Sequence, residues 1–376
     1  MKKVIIVLVA VCIIATMGFV GVGCKTAAAE TTASAAETTA SAAETTAAAA
    51  ETTAAATETT AATEAKQLTI GVVIPYEIGW FAAFKQGFEV IAKEENVKLV
   101  WQYHNYKAED ETKAVQNLIT MGVDAINVTA ATSDSAQYSC SLANDAKIPI
   151  QITESGIAAG RGKPVANIDF NWEQISRDLV DNLRKDVTGP LSLVFIAGFA
   201  GTPPVNEMST GLKDQITKVK DIKLATDIQY GDYATDKSLS VTKSLVQSGL
   251  EFNVAIGECQ EIAEGIIQGL KEQNVDRSKV TVVSVNGGPM DVENFKNGNL
   301  DYAVSQSPGL HGMICAENLI SYLKGRTYQE QTYSPVIWVS AETWSKDLIP
   351  WDMNTSWLPV VEEFVKTGNY KPELKK

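Results

Sequence analysis

The chain is 376 residues long, 45% hydrophobic and 20% charged, which excludes a disordered or collagen-like polymer and suffices for about two ordinary domains. The first 66 residues read as leader and spacer, and four of the 32 basic and six of the 45 acidic residues lie there, so the body carries about −11. A surface of that sign repels phosphate backbones, and no run of five Lys or Arg offsets it, so no nucleic-acid partner is expected.

Met1-Lys2-Lys3 is a basic start, and the apolar run from Val4 to Met17 has the length of a signal-peptide core rather than a bilayer-spanning helix. Gly21-Val22-Gly23-Cys24 then resembles a bacterial lipobox, with Val20 where Leu is commoner. The resemblance implies that residues 1–23 are a lipoprotein signal peptide and that Cys24 is lipidated. The body would then lie outside the cytoplasm, in the periplasm or anchored to the outer face of the cytoplasmic membrane. Residues 25–66 contain only Ala, Thr, Ser, Glu and two Lys, with Glu30, Glu37, Glu44, Glu51 and Glu58 spaced by seven. A coiled coil needs large apolar side chains at its seam, and Ala and Thr bury too little area to offset chain entropy. Residues 24–66 therefore read as a lipidated Cys and a spacer, whose reach as a flexible coil is roughly 35 Å.

From Leu68 the pattern alternates. A strand over Leu68–Pro75, a helix over Trp80–Glu95 and a strand over Val97–Tyr103 form a β-α-β start, followed by a helix at Ala108–Met121, a strand at Ala125–Val128, a helix at Ser133–Ala146 and a strand at Pro149–Ile152. A second series runs through helix Trp172–Asp186, strand Ser192–Ile196, helix Val205–Lys218, strand Lys223–Tyr230, helix Thr235–Gly249, strand Phe252–Ile256, helix Gln260–Gln273 and strand Lys279–Val285. Short buried runs between amphipathic helices call for parallel sheets covered on both faces. Ligands of such sheets bind outside the carboxyl ends of the strands, so residues directly after strands carry the most weight.

Enzyme and metal motifs are absent. The stretch from Gly156 to Gly162-Lys163 approaches a phosphate-binding loop, but it has one residue too many, and Pro164 stands where Ser or Thr should take magnesium. His104 and His311 are the only histidines, and Cys140, Cys259 and Cys315 are left at unrelated spacings once the leader's two are set aside. No metal, cofactor or catalytic residue is expected, and the thiols read as isolated. A binding module is favoured over an enzyme.

At Ile70-Gly71-Val72-Val73-Ile74-Pro75, with Trp80-Phe81 beyond the Pro and Lys85-Gln86-Gly87 on the first helix, the chain resembles a type I periplasmic sugar-binding protein, the solute receptor of an ABC importer. The resemblance continues through Met121-Gly122-Val123-Asp124-Ala125-Ile126, Ile148-Pro149, Asp169, Gly201-Thr202, Asn286-Gly287 and Gln306, in that order, to about Val339. It implies an α/β fold of two Rossmann-like lobes with parallel sheets, joined by a three-segment hinge. Residues 67–170 plus about 307–339 would form the N-lobe, and 171–306 plus about 340–376 the C-lobe and a C-terminal strap. The crossovers would lie near Asp169–Asn171, Gln306–Pro308 and Val339–Ala341.

The same resemblance implies the site. Trp80 and Phe81 take the place of rings that stack on a sugar, with Phe199 and Tyr233 on the opposite wall. Glu154 stands where an Asp usually accepts from two hydroxyls, Asn105 and Tyr106 where an Asn is typical, Asn286 where an Asp is, and Gln306 matches directly. Three departures stand out: Ser155 and Met208 replace arginines, and Cys259-Gln260 replaces an Asn-Asp pair. Two guanidinium forks are gone, so a ribose- or glucose-like solute should bind weakly, and a modified or less polar one is indicated. Trp338, Trp344, Trp351 and Trp357 read as packing in the strap rather than as ligand stackers.

The expected function is capture of a carbohydrate or polyol between two closing lobes by a monomeric, lipid-anchored receptor that delivers it to an ABC permease. Three alternatives stay open: a receptor for a sensor kinase or chemoreceptor, a nucleoside binder stacking on Trp80, and a hydrolase using Glu154 as base.

Overall fold

The computed structural model describes residues 66–376, so the signal peptide, Cys24 and the spacer lie outside the described residues. The chain begins with strand β1 (Thr69–Ile74), helix α1 (Trp80–Glu94), β2 (Lys98–Tyr103), α2 (Ala108–Met121), β3 (Ala125–Thr129), α3 (Ser133–Asp145), β4 (Ile150–Thr153) and β5 (Ala166–Asp169). It then crosses to a second lobe: α4 (Trp172–Asp186), β6 (Leu191–Ala197), α5 (Pro203–Lys218), β7 (Ile222–Leu224), β8 (Gln229–Tyr230), α6 (Thr235–Gln247), β9 (Val254–Gly257), α7 (Gln260–Glu272), β10 (Thr281–Ser284), α8 (Pro289–Lys296) and β11 (Tyr302–Gln306). Helix α9 (Pro308–Leu323), β12 (Gln331–Tyr333), β13 (Val336–Ser340), α10 (Trp344–Asp347) and α11 (Leu358–Thr367) complete it. One sheet has the order β12-β5-β4-β3-β1-β2, the other β13-β11-β10-β9-β6-β7 with β8 also on β6. Every pairing is parallel except that of β11 with β13.

Local chemistry explains the elements. Along α4 the buried residues are Trp172, Ile175, Ser176, Leu179, Val180 and Leu183, the spacing of one helical face, and the Asn171 side chain accepts from the Gln174 N–H at 3.1 Å to start it. Helix α2 stops where Gly122 adopts φ +67°. The expected strand Lys223–Tyr230 is two pieces: Leu193 pairs with Leu224 but Ile196 pairs with Gln229, so one strand gains two residues over the other and bulges.

The hinge differs from the expected one. Strand β13 pairs antiparallel with β11, which places residues 336–340 in the C-lobe sheet and moves the third crossing from Val339–Ala341 to the link between Tyr333 and Val336. The last stretch does not stay on the C-lobe. Ile349, Met353, Trp357, Val360, Val361, Phe364 and Val365 join the N-lobe core, because α11 has an apolar face that α9 covers. Of the four strap tryptophans, Trp338 stacks on Tyr302 and Trp344 on Phe295 in the C-lobe, whereas Trp357 is buried in the N-lobe core.

Helix α9 is largely apolar and buried from Pro308 to Ser321, with the buried His311, Glu317 and Asn318 each given a polar partner. It lies against α1 through glycines. A Cβ on Gly87 would sit 1.9 Å from the Gly309 carbonyl oxygen, and one on Gly312 would sit 2.1 Å from the Phe84 carbonyl oxygen. Neither contact is with a flexible side chain, so the helices could only accommodate a methyl by moving apart. Elsewhere in this lobe the buried Glu111 accepts from the Ala131 N–H and from the Ser135 and Ser139 hydroxyls, each at 2.7 Å, tying α2 to the start of α3. Gly87→Ala is expected to cost about 1–3 kcal/mol in chemical denaturation, the range for overpacking. An unchanged midpoint would show that the helices separate freely.

Candidate functional site

The carboxyl ends of both sheets face one cavity of about 360 Å³. From the N-lobe, the β1–α1 loop brings Tyr76, Ile78 and Trp80, with Phe81 beneath. Gly79, at φ +54° and ψ −123°, turns the chain into α1 at Trp80. Trp80 lies nearly parallel to Phe84, with ring centroids 5.9 Å apart, and meets Phe81 edge-on at 5.0 Å. The β2–α2 loop turns through left-handed Asn105 (φ +49°) and Tyr106 (φ +57°), and Glu154 follows β4 at φ +56°. From the C-lobe come Tyr233 (φ +55°), Glu258, Cys259, Glu261 and Asn286, with Gln306 at the end of β11. Left-handed backbone at residues as bulky as Tyr106, Glu154 and Tyr233 costs of order 1 kcal/mol each, and the surrounding packing holds all three at the cavity. A Cβ on Gly198 would fall 1.9 Å from the Tyr233 ring, so a glycine there is what lets this tyrosine lie flat against β6.

Eight of the eleven expected ligand positions line the cavity: Trp80, Phe81, Tyr106, Glu154, Tyr233, Cys259, Asn286 and Gln306. Three do not. Asn105 is exposed at the turn, and its neighbour Tyr106 points inward instead. Phe199 is 38% exposed and outside the cavity lining, its ring 5.9 Å from Tyr106 of the other lobe and 5.5 Å from Tyr233. Met208 is buried in the C-lobe core: α5 begins at Pro203, and Met208 falls on the face with Val205 and Leu212 that packs on the sheet, leaving Pro204 to reach the cavity. Asp169 ends β5 at the first crossing, where its carboxylate accepts from the Phe170 N–H at 2.7 Å.

The sequence between residues 70 and 327 matches the family model described as periplasmic binding protein domain. The chain belongs to this periplasmic binding protein family. It is 22% identical over 275 residues to the ribose import binding protein of Bacillus subtilis, covering 72% of this chain and 87% of that one. It is 24% identical over 275 residues to the galactofuranose-binding protein of Escherichia coli K12, covering 71% and 86%. The crystal structure of an ABC transporter solute binding protein from Burkholderia graminis, in complex with D-arabinose, superposes with a TM-score of 0.69 at 19% identity, over 76% of this chain and 99% of that one. The two-lobed α/β fold is that of a type I periplasmic binding protein, and membership implies an extracytoplasmic location.

In this periplasmic binding protein the polar wall is acidic. Glu154 is 9% exposed, and no donor among the described residues reaches its carboxyl; burial, reinforced by the Asp169 charge, holds it well above the usual carboxylate range. Glu258 accepts from the Gly198 N–H at 2.6 Å and from the Tyr233 hydroxyl at 3.4 Å, but burial prevails and pushes it up to about 7. Burial likewise raises the Cys259 thiol, which favours its protonated form. Asn286 accepts from the Gln260 N–H at 3.1 Å, anchoring α7, and the Gln306 amide donates to the Val285 carbonyl at 2.7 Å. The Gln306 Oε1 has no partner among the described residues.

Sequence reasoning missed Tyr76, Trp172, Glu258 and Glu261. The rule of weighting the first residues after a strand points to Glu258 once the strand end is right: the expected strand Phe252–Ile256 stops one residue before β9, which ends at Gly257. Tyr76 was skipped because Pro75 closes the apolar run just before it.

A raised acid favours the folded state while protonated, so the stability it lends is full at low pH and is lost as pH climbs from the ordinary value of 4.5 through about 7. For Glu258 that loss is on the order of 3 kcal/mol. Denaturation of Glu258→Gln beside the unaltered protein is therefore expected to show the variant gaining in relative stability between about pH 5 and about pH 8. A difference independent of pH would contradict the assignment.

Proposed function

We propose that this chain captures a small polar solute, a carbohydrate or polyol, between its two lobes and delivers it to an ABC importer. The observation that carries the proposal is the cavity itself: aromatic rings and hydrogen-bonding groups from both lobes meet at the carboxyl ends of both sheets. A pyranose or furanose has just this pair of needs, apolar C–H faces for Trp80 and hydroxyls for Glu154, Asn286 and Gln306. Ribose and galactofuranose relatives support the substrate class. A solute touching both lobes binds the closed arrangement better and shifts that population, with Asp169 and the neighbouring crossings as the hinge. The receptor does no chemistry on its cargo. It works as a monomer tethered through lipid on Cys24, with the Ala/Thr/Glu spacer giving the body reach toward its permease.

Two outcomes are expected. In a thermal-shift screen of residues 67–376 against pentoses, hexoses, polyols, amino acids and nucleosides, a member of the first three classes should stabilise the protein, by about 2.7 kcal/mol at 100 times its dissociation constant. Stabilisation by amino acids or nucleosides alone would overturn the substrate class. Trp80→Ala should weaken binding of the identified solute by about tenfold or more, roughly 1.4 kcal/mol, and unchanged affinity would remove Trp80 from the site.

A further inference from the structure

The cavity holds an imbalance of charge. Glu154 from the N-lobe and Glu258 and Glu261 from the C-lobe line it, and no Lys, Arg or His does. The Glu154 carboxyl is nine-tenths buried and receives no hydrogen bond from the described residues. Glu261 accepts from the Gln260 amide at 3.1 Å, and Glu258 from one N–H and one hydroxyl. The donors such carboxylates lack must come from elsewhere.

The opposing surfaces suit one kind of donor. Trp80, Tyr106 and Tyr233 present rings to the same space, and the negative face of an aromatic ring attracts a cation within about 6 Å. A neutral hydroxyl gains little from that face, and a buried carboxylate gains more from a charged donor than from a neutral one. An ammonium group supplies up to three N–H donors and the missing positive charge at once. It also acts on the lobes: a cation bonded to acids from both sides of the cleft bridges the two and favours their closed arrangement.

We propose that the solute is an aminated carbohydrate or amino-polyol whose ammonium group sits between Glu154 and Glu258 against the aromatic wall. The inference rests on the carbohydrate reading above and narrows it.

Titration calorimetry of the purified protein with matched pairs tests it: D-glucosamine against D-glucose, D-galactosamine against D-galactose, and an aminocyclitol against the corresponding inositol, with ethanolamine and putrescine as amines lacking the ring. The amine is expected to bind at least tenfold more tightly than its hydroxyl partner in the pair that fits, and Glu154→Gln to reduce that ratio more than it reduces affinity for the neutral member. A neutral sugar that binds as well as its amine overturns the inference and leaves the carbohydrate reading standing. Binding of ethanolamine or putrescine without any ring compound overturns the carbohydrate reading, and the aminated-sugar assignment with it. The wild-type ratio is informative even if Glu154→Gln does not fold.

Discussion

Three carboxyl groups share a cleft to which no described residue brings a positive charge, and the architecture around them can be understood as the means of keeping them there. Burying a carboxyl without a partner costs several kcal/mol, and a chain free to rearrange would swing such groups into water. Here they cannot swing. Glu154 leaves β4 in a left-handed conformation and Glu258 is clasped by the Gly198 N–H, each fixed at the rim of a parallel sheet whose strands are buried on both faces. The raised proton affinity of both acids is the expression of that constraint.

The N-lobe wall owes its position to backbone contact. Helix α1 begins at Trp80, so whatever fixes α1 fixes the ring, and α1 is held to α9 at a separation that Gly87 and Gly312 permit. Helix α9 in turn begins one residue after the crossing at Ser307, whose hydroxyl donates to the Pro350 carbonyl at 2.6 Å and accepts from the Leu310 N–H at 3.1 Å. The aromatic wall, the second crossing and the returning C-terminal segment are thus one connected body. The terminal tryptophans belong to that scaffold: Trp351 is buried where its backbone carbonyl lies against Gly309.

Much of this was legible in the sequence because α/β folds announce themselves twice, through apolar runs and through helical faces. Helices α2 and α4 have the bounds that spacing alone indicates, since strong amphipathic periodicity ends abruptly at Gly122 in one and opens at the Asn171 cap in the other. Helix α9 left no such trace: Pro308 to Ser321 is buried on every side, and a helix without a polar face has no period to read. The path after Gln306 was misjudged for a related reason. The short strands β12 and β13 are separated by two residues yet belong to different sheets, and only their partners reveal it. At the site, the order of motifs located the cavity, but single residues slipped by one to four positions. Asn105 gave way to Tyr106, Met208 to Pro204, and Cys259 shared its place with Glu258. Loop conformation decides which of two neighbours faces a ligand, and left-handed turns at non-glycine residues are not written in composition.

The most direct test of the account is a crystal structure of the protein grown with the solute that calorimetry identifies. The account predicts that solute in the cleft, with one face on Trp80 and with polar contacts to Glu154 from the N-lobe and to Glu258 or Tyr233 from the C-lobe. A solute held by one lobe alone, or seated outside the cavity at the strand ends, would contradict it.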